Sequence, residues 1–142
     1  MANEVACQNR CSLLELLILA ILIKEGKLHG YALYKHIVDI TQTRWKPSIG
    51  TIYRFLNDMA RRGLVLKNVK DRKYEYEVTH KGIEYFIENM RNPLIRLAGI
   101  LATSLESYFK VAEKNPNILS EDIKERLRTL KKILDSNIEF TV

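Results

Sequence analysis

The spacing of apolar residues changes once early in this 142-residue chain, and the place where it changes limits the folds open to it. Up to Gly63 apolar residues recur at three- and four-residue intervals. Directly after it, "LVLKNVKDRKYEYEVT" alternates: Leu64, Leu66 and then Tyr74, Tyr76 and Val78 share a phase, with charged residues between them. Ser12 can cap a first helix carrying Leu13, Leu16, Leu17, Ala20, Ile21 and Ile23, with Glu15 placed as the carboxylate of a capping box and Gly26 as the stop. Its apolar residues run nearly all the way round, which requires cover on two sides, one from the domain and one from a second subunit or a C-terminal helix. A second helix is expected from Gly30 to Thr41, with Tyr31, Leu33, Tyr34, Ile37, Val38 and Ile40 apolar. After a loop with Arg44, Trp45 and Pro47, Ser48 caps a third, over 49–62. Its stripe is Ile49, Ile52, Leu56, Met59 and Ala60, and Gly63 ends it. At about 100° per residue, Arg54 stands at the centre of the opposite face, flanked by Gly50, Thr51, Asp58 and Arg61. The alternating segment then reads as two strands joined by a basic turn at Lys70, Asp71 and Arg72.

Three helices followed by a hairpin is the order of a winged helix-turn-helix. Thr79 can cap a further helix from His80 to Met90, with Ile83, Phe86 and Ile87 inward, and Asn92-Pro93 marks a break. Beyond it Leu94, Leu97, Ala98, Leu101, Leu105, Tyr108 and Ala112 recur at nearly heptad spacing. "EKNPN" interrupts, and Ser120 starts a last helix with the stripe Ile123, Leu127, Leu130 and Leu134. The expected fold is therefore mainly α with a small β-hairpin wing. Residues 1–91 would form a winged helix-turn-helix and residues 92–142 a helical dimerisation region.

Charge separates the two regions. Residues 44–73 hold nine basic groups (Arg44, Lys46, Arg54, Arg61, Arg62, Lys67, Lys70, Arg72, Lys73) against Asp58 and Asp71, so this segment is +7 within a chain whose net charge is +6. Cations confined to one-fifth of a chain mark a footprint for an anionic polymer, whereas a merely solvated face would mix the signs. Residues 92–142, with eight basic and seven acidic groups, are nearly neutral and suit packing against other helices.

The chemistry of the basic segment assigns roles. A major groove about 12 Å wide accepts one helix. Arg54 can bond bidentately to a guanine edge, and Thr51 can touch a base or a phosphate. Gly50 would let the helix start approach the DNA backbone, and Ser48 with the free N–H groups there can hold a phosphate. Tyr53 can bury its ring and donate its hydroxyl to a phosphate, although plain core packing explains it equally well. Lys46, Lys70, Arg72 and Lys73 supply further cations, the last three on a wing over 67–75 that can clamp phosphates or reach a minor groove. For Arg61 and Arg62 a solvated helix end and a DNA contact are equally good readings, since cations suit a helix C-terminus.

Other classes find little support. The longest apolar run, Leu13 to Ile23, is interrupted by Glu15 and falls short of the roughly 18 residues a membrane span needs, so a soluble, cytoplasmic protein is expected. Cys7 and Cys11 are four apart but stand without further cysteines, and His29, His36 and His80 are scattered. Ordinary thiols are expected there, with no metal site and no cofactor. No nucleophile elbow, Gly-rich phosphate loop or HExxH occurs, and Glu75 and Glu77 alternate with Tyr74 and Tyr76 as a solvent-facing row would, so an enzyme is not expected.

"LHGYALYKHI", "WKPSIGTIYRFLNDMARRGLV" and "YEVTHKG" resemble the PadR family of transcriptional regulators across residues 13–90, with HGY, W-x-P-S-x-G-T-x-Y and T-x-x-G in order. The resemblance implies a dimeric winged-helix DNA-binding protein, usually a repressor, whose first and C-terminal helices form the dimer. It also implies that His29, Tyr31, Ser48, Thr51 and Tyr53 lie near DNA. Where the family's motif often carries Pro after Thr-Leu-Tyr, this chain has Arg54, adding a positive charge where DNA would lie. A palindromic operator favours a homodimer, because two recognition helices must fall about 34 Å apart. Leu13, Leu16, Leu17, Ala20, Leu94, Leu97, Leu101, Leu105, Tyr108, Ile123, Leu127, Leu130 and Leu134 are the candidate interface. Regulators of this kind often answer to a small-molecule effector. Trp45, Tyr108 and Phe109 could line a space for one, although a plain core would look the same. The rival reading is a winged helix that binds an acidic protein partner instead of DNA.

Overall fold

Helices form where the spacing of apolar residues and the capping residues place them. The computed structural model describes residues 12–42 and 47–138. α1 (Leu13–Glu25) starts at Ser12, whose hydroxyl accepts from the Leu14 N–H, and stops at Gly26 with φ +86°, a conformation that an L side chain rarely adopts. A two-residue strand, β1 (Leu28–His29), leads into α2 (Gly30–Thr41). α3 (Ile49–Arg61) follows, and Gly63, at φ +79°, turns the chain into β2 (Val65–Lys70) and β3 (Lys73–Val78). α4 (His80–Ala112), a 3-10 turn at Pro116–Ile118 and α5 (Glu121–Ile138) complete the chain. The described residues divide into two compact units, one up to Leu94 and one from Ile95. No described helix is long and apolar enough to cross a membrane.

The first unit is a winged helix built on one core. Ile18, Leu19 and Leu22 from α1 meet Leu33 and Ile37 from α2, Ile52, Leu56 and Met59 from α3, and Leu64, Val65 and Tyr76 from the hairpin and its entry. Three fully buried side chains on α3 contribute about 5 kcal/mol or more, enough to hold a helix whose other face is polar. The sheet order is β1-β3-β2, antiparallel throughout, with Leu28 opposite Tyr76 and Val65 opposite Val78. The strand β1 is an addition to the hairpin expected from the sequence. β2 and β3 are joined by Asp71 and Arg72, both at positive φ (+53° and +65°), the geometry of a tight type I′ turn.

The T-x-x-G motif closes the corner between hairpin and α4. The Thr79 hydroxyl accepts from the Gly82 N–H (3.0 Å) and lies 2.7 Å from the Gly63 carbonyl, to which it donates. Gly82 packs so closely on Leu64 that a Cβ there would overlap the Leu64 carbonyl oxygen and approach Val78 Cγ2 to 2.8 Å.

Several expectations are corrected. Asn92-Pro93 does not break the helix: α4 runs through Pro93 without interruption. A proline inside a helix costs about 3 kcal/mol, a local loss that the intact turns on both sides absorb. Leu66 is exposed, and its neighbour Val65 supplies the buried side chain, because β2 begins at Val65 and pairs it with Val78. Ile49 is exposed at the end of its stripe, since the first turn of α3 extends past the core. Glu15 is buried, and its carboxylate is paired with the Arg62 guanidinium of α3's C-terminal end. Arg62 also reaches Asp58 at 3.1 Å and lies 5.5 Å from the Tyr85 ring, so it ties α1, α3 and α4 together and is neither a solvated helix end nor a free cation.

Candidate nucleic-acid interface

The face of α3 that points away from the core is prepared at its first turn. Ser48 accepts from the Thr51 N–H at 3.1 Å, and the two hydroxyls lie 2.8 Å apart, which fixes the Thr51 side chain beside the helix start. Gly50 has open space around it apart from Ser48 Oγ at 3.8 Å, so the helix start presents bare backbone there. One turn on, Arg54 is exposed, and among the described residues no acid pairs with it. Asp58, the one carboxylate on this face, is already engaged by Arg61 (2.7 Å) and Arg62. The field of the face is therefore positive around Arg54.

Tyr53 sits at the edge of the face, half-buried over the start of α2. Its ring lies so close to Gly30 that any Cβ there would overlap it. The glycine of HGY is thus the seat of the tyrosine of G-T-x-Y, and two motifs twenty-odd residues apart form one contact. His29, the N-cap residue of α2, reaches the other way: its Nδ1 is 3.2 Å from the Tyr74 carbonyl of β3. Tyr31 is exposed beside Tyr34, their centroids 6.2 Å apart, with the Lys35 ammonium over its ring.

On the wing, Lys70, Arg72 and Lys73 are exposed around the tight turn. Behind it lies a cleft of about 700 Å³ between the start of α2, α3 and the hairpin, lined by His29, Tyr31, Tyr53, Tyr74, Lys67 and Lys73 among others. Tyr76 forms part of its wall, and burial, with smaller effects from Tyr53 and Tyr74, raises the pKa of its hydroxyl.

The structure thus gathers His29, Tyr31, Tyr53 and Lys73 about one cleft, with Asn57 and Lys67 added to them. Ser48, Gly50, Thr51 and Arg54 form the adjoining face of α3, and Lys70 and Arg72 the tip of the wing. Lys46, Trp45, Cys7 and Cys11 lie outside the described residues. Asn57 carries no charge and so stands outside a reading based on cations. Its position three residues after Arg54, on the same face, was the available signal. Among the described residues no cluster of His, Cys, Asp and Glu could hold a metal ion.

The candidate interface between subunits is largely uncovered in the single chain. Leu94 is 58% exposed, Leu13, Leu97, Leu101, Tyr108 and Leu134 are exposed, and Leu17, Ala20, Leu105, Ile123, Leu127 and Leu130 are half-buried. Leu16 departs from this pattern. At 2% exposure it is already buried in the single chain. The Tyr108 hydroxyl donates to the Ile118 carbonyl (3.0 Å), tying the 3-10 turn to α4.

A family model described as "Transcriptional regulator PadR-like family" matches residues 18–88. Among solved structures, a transcriptional regulator from Clostridium thermocellum superposes with a TM-score of 0.54 at 23% identity, covering 62% of this chain and 89% of that one. RosR of H. salinarum superposes with a TM-score of 0.52 at 20% identity, covering 89% and 96%. A PadR family transcription regulator from Clostridium difficile R20291 gives 0.52 at 19%, covering 66% and 99%. At these identities the likeness is one of fold. No curated protein matches the sequence.

Proposed function

The chain belongs to the PadR-like family of transcriptional regulators, and from that premise we propose that it is a cytoplasmic, homodimeric repressor that binds specific sequences in double-stranded DNA. α3 enters the major groove, with Arg54 on a guanine edge, Thr51 beside it, and Ser48 and Gly50 receiving a phosphate at the helix start. Lys70, Arg72 and Lys73 of the wing rest on the adjacent backbone or minor groove, and Lys46 is a further DNA-binding cation. His29, Tyr31 and Tyr53 meet the backbone at the cleft between them. The family is one of regulators, not of enzymes.

The observation that carries this reading is the pairing of one unopposed arginine on α3 with a basic hairpin tip formed by a tight turn. Dimerisation is supported by the apolar side chains of α4 and α5 left exposed, Leu94, Leu97, Leu101, Tyr108 and Leu134, and by the two-fold symmetry of operators. Residues 1–91 then act as the DNA-binding part and residues 92–142 as the dimerisation part.

Purified protein should retain fragments of its source genome at low salt and sediment as a dimer at micromolar concentration. Log K should fall linearly with log salt by about 0.9 per phosphate neutralised, and replacing Lys70, Arg72 and Lys73 with Ala should flatten that slope. A monomer would remove the dimer from this account. An absence of duplex binding at low salt would turn the reading to an acidic protein partner.

A further inference from the structure

Asn57 is exposed on α3 and follows Arg54 by one turn. Its Oδ1 accepts a hydrogen bond from Lys67 Nζ of β2 at 3.0 Å. An ammonium only donates, so this contact fixes which way round the amide sits: the oxygen faces the wing and the two N–H groups of Nδ2 are left as its donors. Lys67 is itself held in place. Its ammonium lies 4.0 Å from the centroid of the Tyr74 ring on the neighbouring strand, so it bridges helix and hairpin instead of sweeping through solvent. An asparagine with both amide groups free can pair with adenine through both at once, oxygen to N6 and nitrogen to N7. One whose oxygen is already committed offers a donor.

We propose that Asn57 reads a base edge in the major groove through Nδ2, and that Lys67 is the positioning residue that orients its amide for that contact. The inference rests on the reading of α3 as the groove-bound helix. On the contacted strand, the base next to the one read by Arg54 would then be selected for an acceptor facing Nδ2, namely a purine N7, guanine O6 or thymine O4, and a cytosine there, which offers its N4 donor, would be rejected. Lys67 acts through Asn57 and not as one more cation on the backbone.

The test is to measure affinity for a selected duplex and its full set of single-base changes, using the whole chain and its variants Asn57→Ala, Asn57→Asp, Lys67→Met and the double variant. Circular dichroism would verify that each is folded, which exposed positions permit. Asn57→Ala should erase a preference of roughly 2- to 12-fold, that of a single hydrogen bond, at one position in each half-site. Asn57→Asp retains an oxygen for Lys67 but presents an acceptor outward, and should turn the preference toward cytosine. Lys67→Met should loosen the preference at the same base pair, and should have no further effect on it once Asn57 is Ala. Uniform weakening by Lys67→Met across all sequences, additive with Asn57→Ala and with a salt slope reduced by about one, would make Lys67 a phosphate contact and overturn the proposal. An unchanged preference profile for Asn57→Ala would overturn it as well, while leaving Arg54 and the DNA reading intact. If the unaltered chain binds no duplex at all, the reading beneath the proposal fails with it.

Discussion

Gly82 and Gly99 lie in the same helix, α4, yet replacing each with alanine should move stability in opposite directions. In a helix interior alanine is ordinarily better than glycine by about 0.5–1 kcal/mol. A Cβ at Gly99 has nothing within 4 Å, so Gly99→Ala should realise that gain. A Cβ at Gly82 would overlap the Leu64 carbonyl oxygen, approach Val78 Cγ2 to 2.8 Å and lie 3.1 Å from the Leu64 carbonyl carbon. These are mostly backbone atoms with little freedom to retreat. The same Leu64 oxygen accepts from the Thr79 N–H at 3.1 Å, and the Thr79 hydroxyl donates toward it at 3.1 Å, so displacing it weakens the bonds that close the corner. Overpacking of about 1–3 kcal/mol and one or two weakened hydrogen bonds at about 1 kcal/mol each place Gly82→Ala about 2–4 kcal/mol below the parent. For a chain of this size that is a fall in Tm of roughly 6–20 °C. Thermal unfolding followed by circular dichroism, with both variants at equal protein concentration, reads the contrast directly. Gly82→Ala as stable as the parent would show that the hairpin does not meet α4 as described, and would remove the structural basis for how the wing is aimed.

Adjacent arginines give a second contrast. Arg62→Met, which breaks a pair with buried Glu15, should cost a few kcal/mol in chemical denaturation. It should fall toward the low end of the roughly 3–5 kcal/mol seen for broken buried pairs, because the Arg62 side chain is 38% exposed; Arg61→Met should change stability by less than about 1 kcal/mol. Gly30→Ala should push the Tyr53 ring off α2 and lower affinity for duplex DNA more than it lowers Tm; equal affinity would show that the seat of Tyr53 does not matter to binding. The Tyr76 hydroxyl has its pKa raised by burial, so the folded state holds that proton more tightly than the unfolded chain does. Stability from this source is complete below about pH 10 and is lost as pH climbs through the folded pKa, and Tyr76→Phe should lessen the alkaline loss; an identical pH profile for the variant would contradict this.

What the sequence disclosed and what it withheld divide along a physical line. Ser12, Gly26, Ser48, Gly63 and Thr79 act through bonds and dihedrals within a few residues, so the bounds of the first and third helices and the start of the fourth were legible. Two residues have no period, which hides β1; it is completed only by pairing with Tyr76 and Glu75 far along the chain. "LVL" offers three apolar neighbours and no phase, so the choice between Val65 and Leu66 awaited the partner Val78. Pro93 is a strong local signal overridden by the helix around it. The tether from Arg62 to Glu15 and the clasp of Lys67 on Asn57 join residues distant in sequence, and nothing in either residue's own neighbourhood announces them. The basic face itself was visible early because charge needs no partner to be counted.

The central claim is that the exposed face of α3 reads DNA. It is tested most directly by comparing the unaltered chain with Arg54→Ala on a selected operator and every single-base change of it. The account predicts that the variant keeps its dependence on salt from the wing but loses about 1–3 kcal/mol of preference for guanine at one base pair per half-site. A variant with the parent's full preference profile would contradict it.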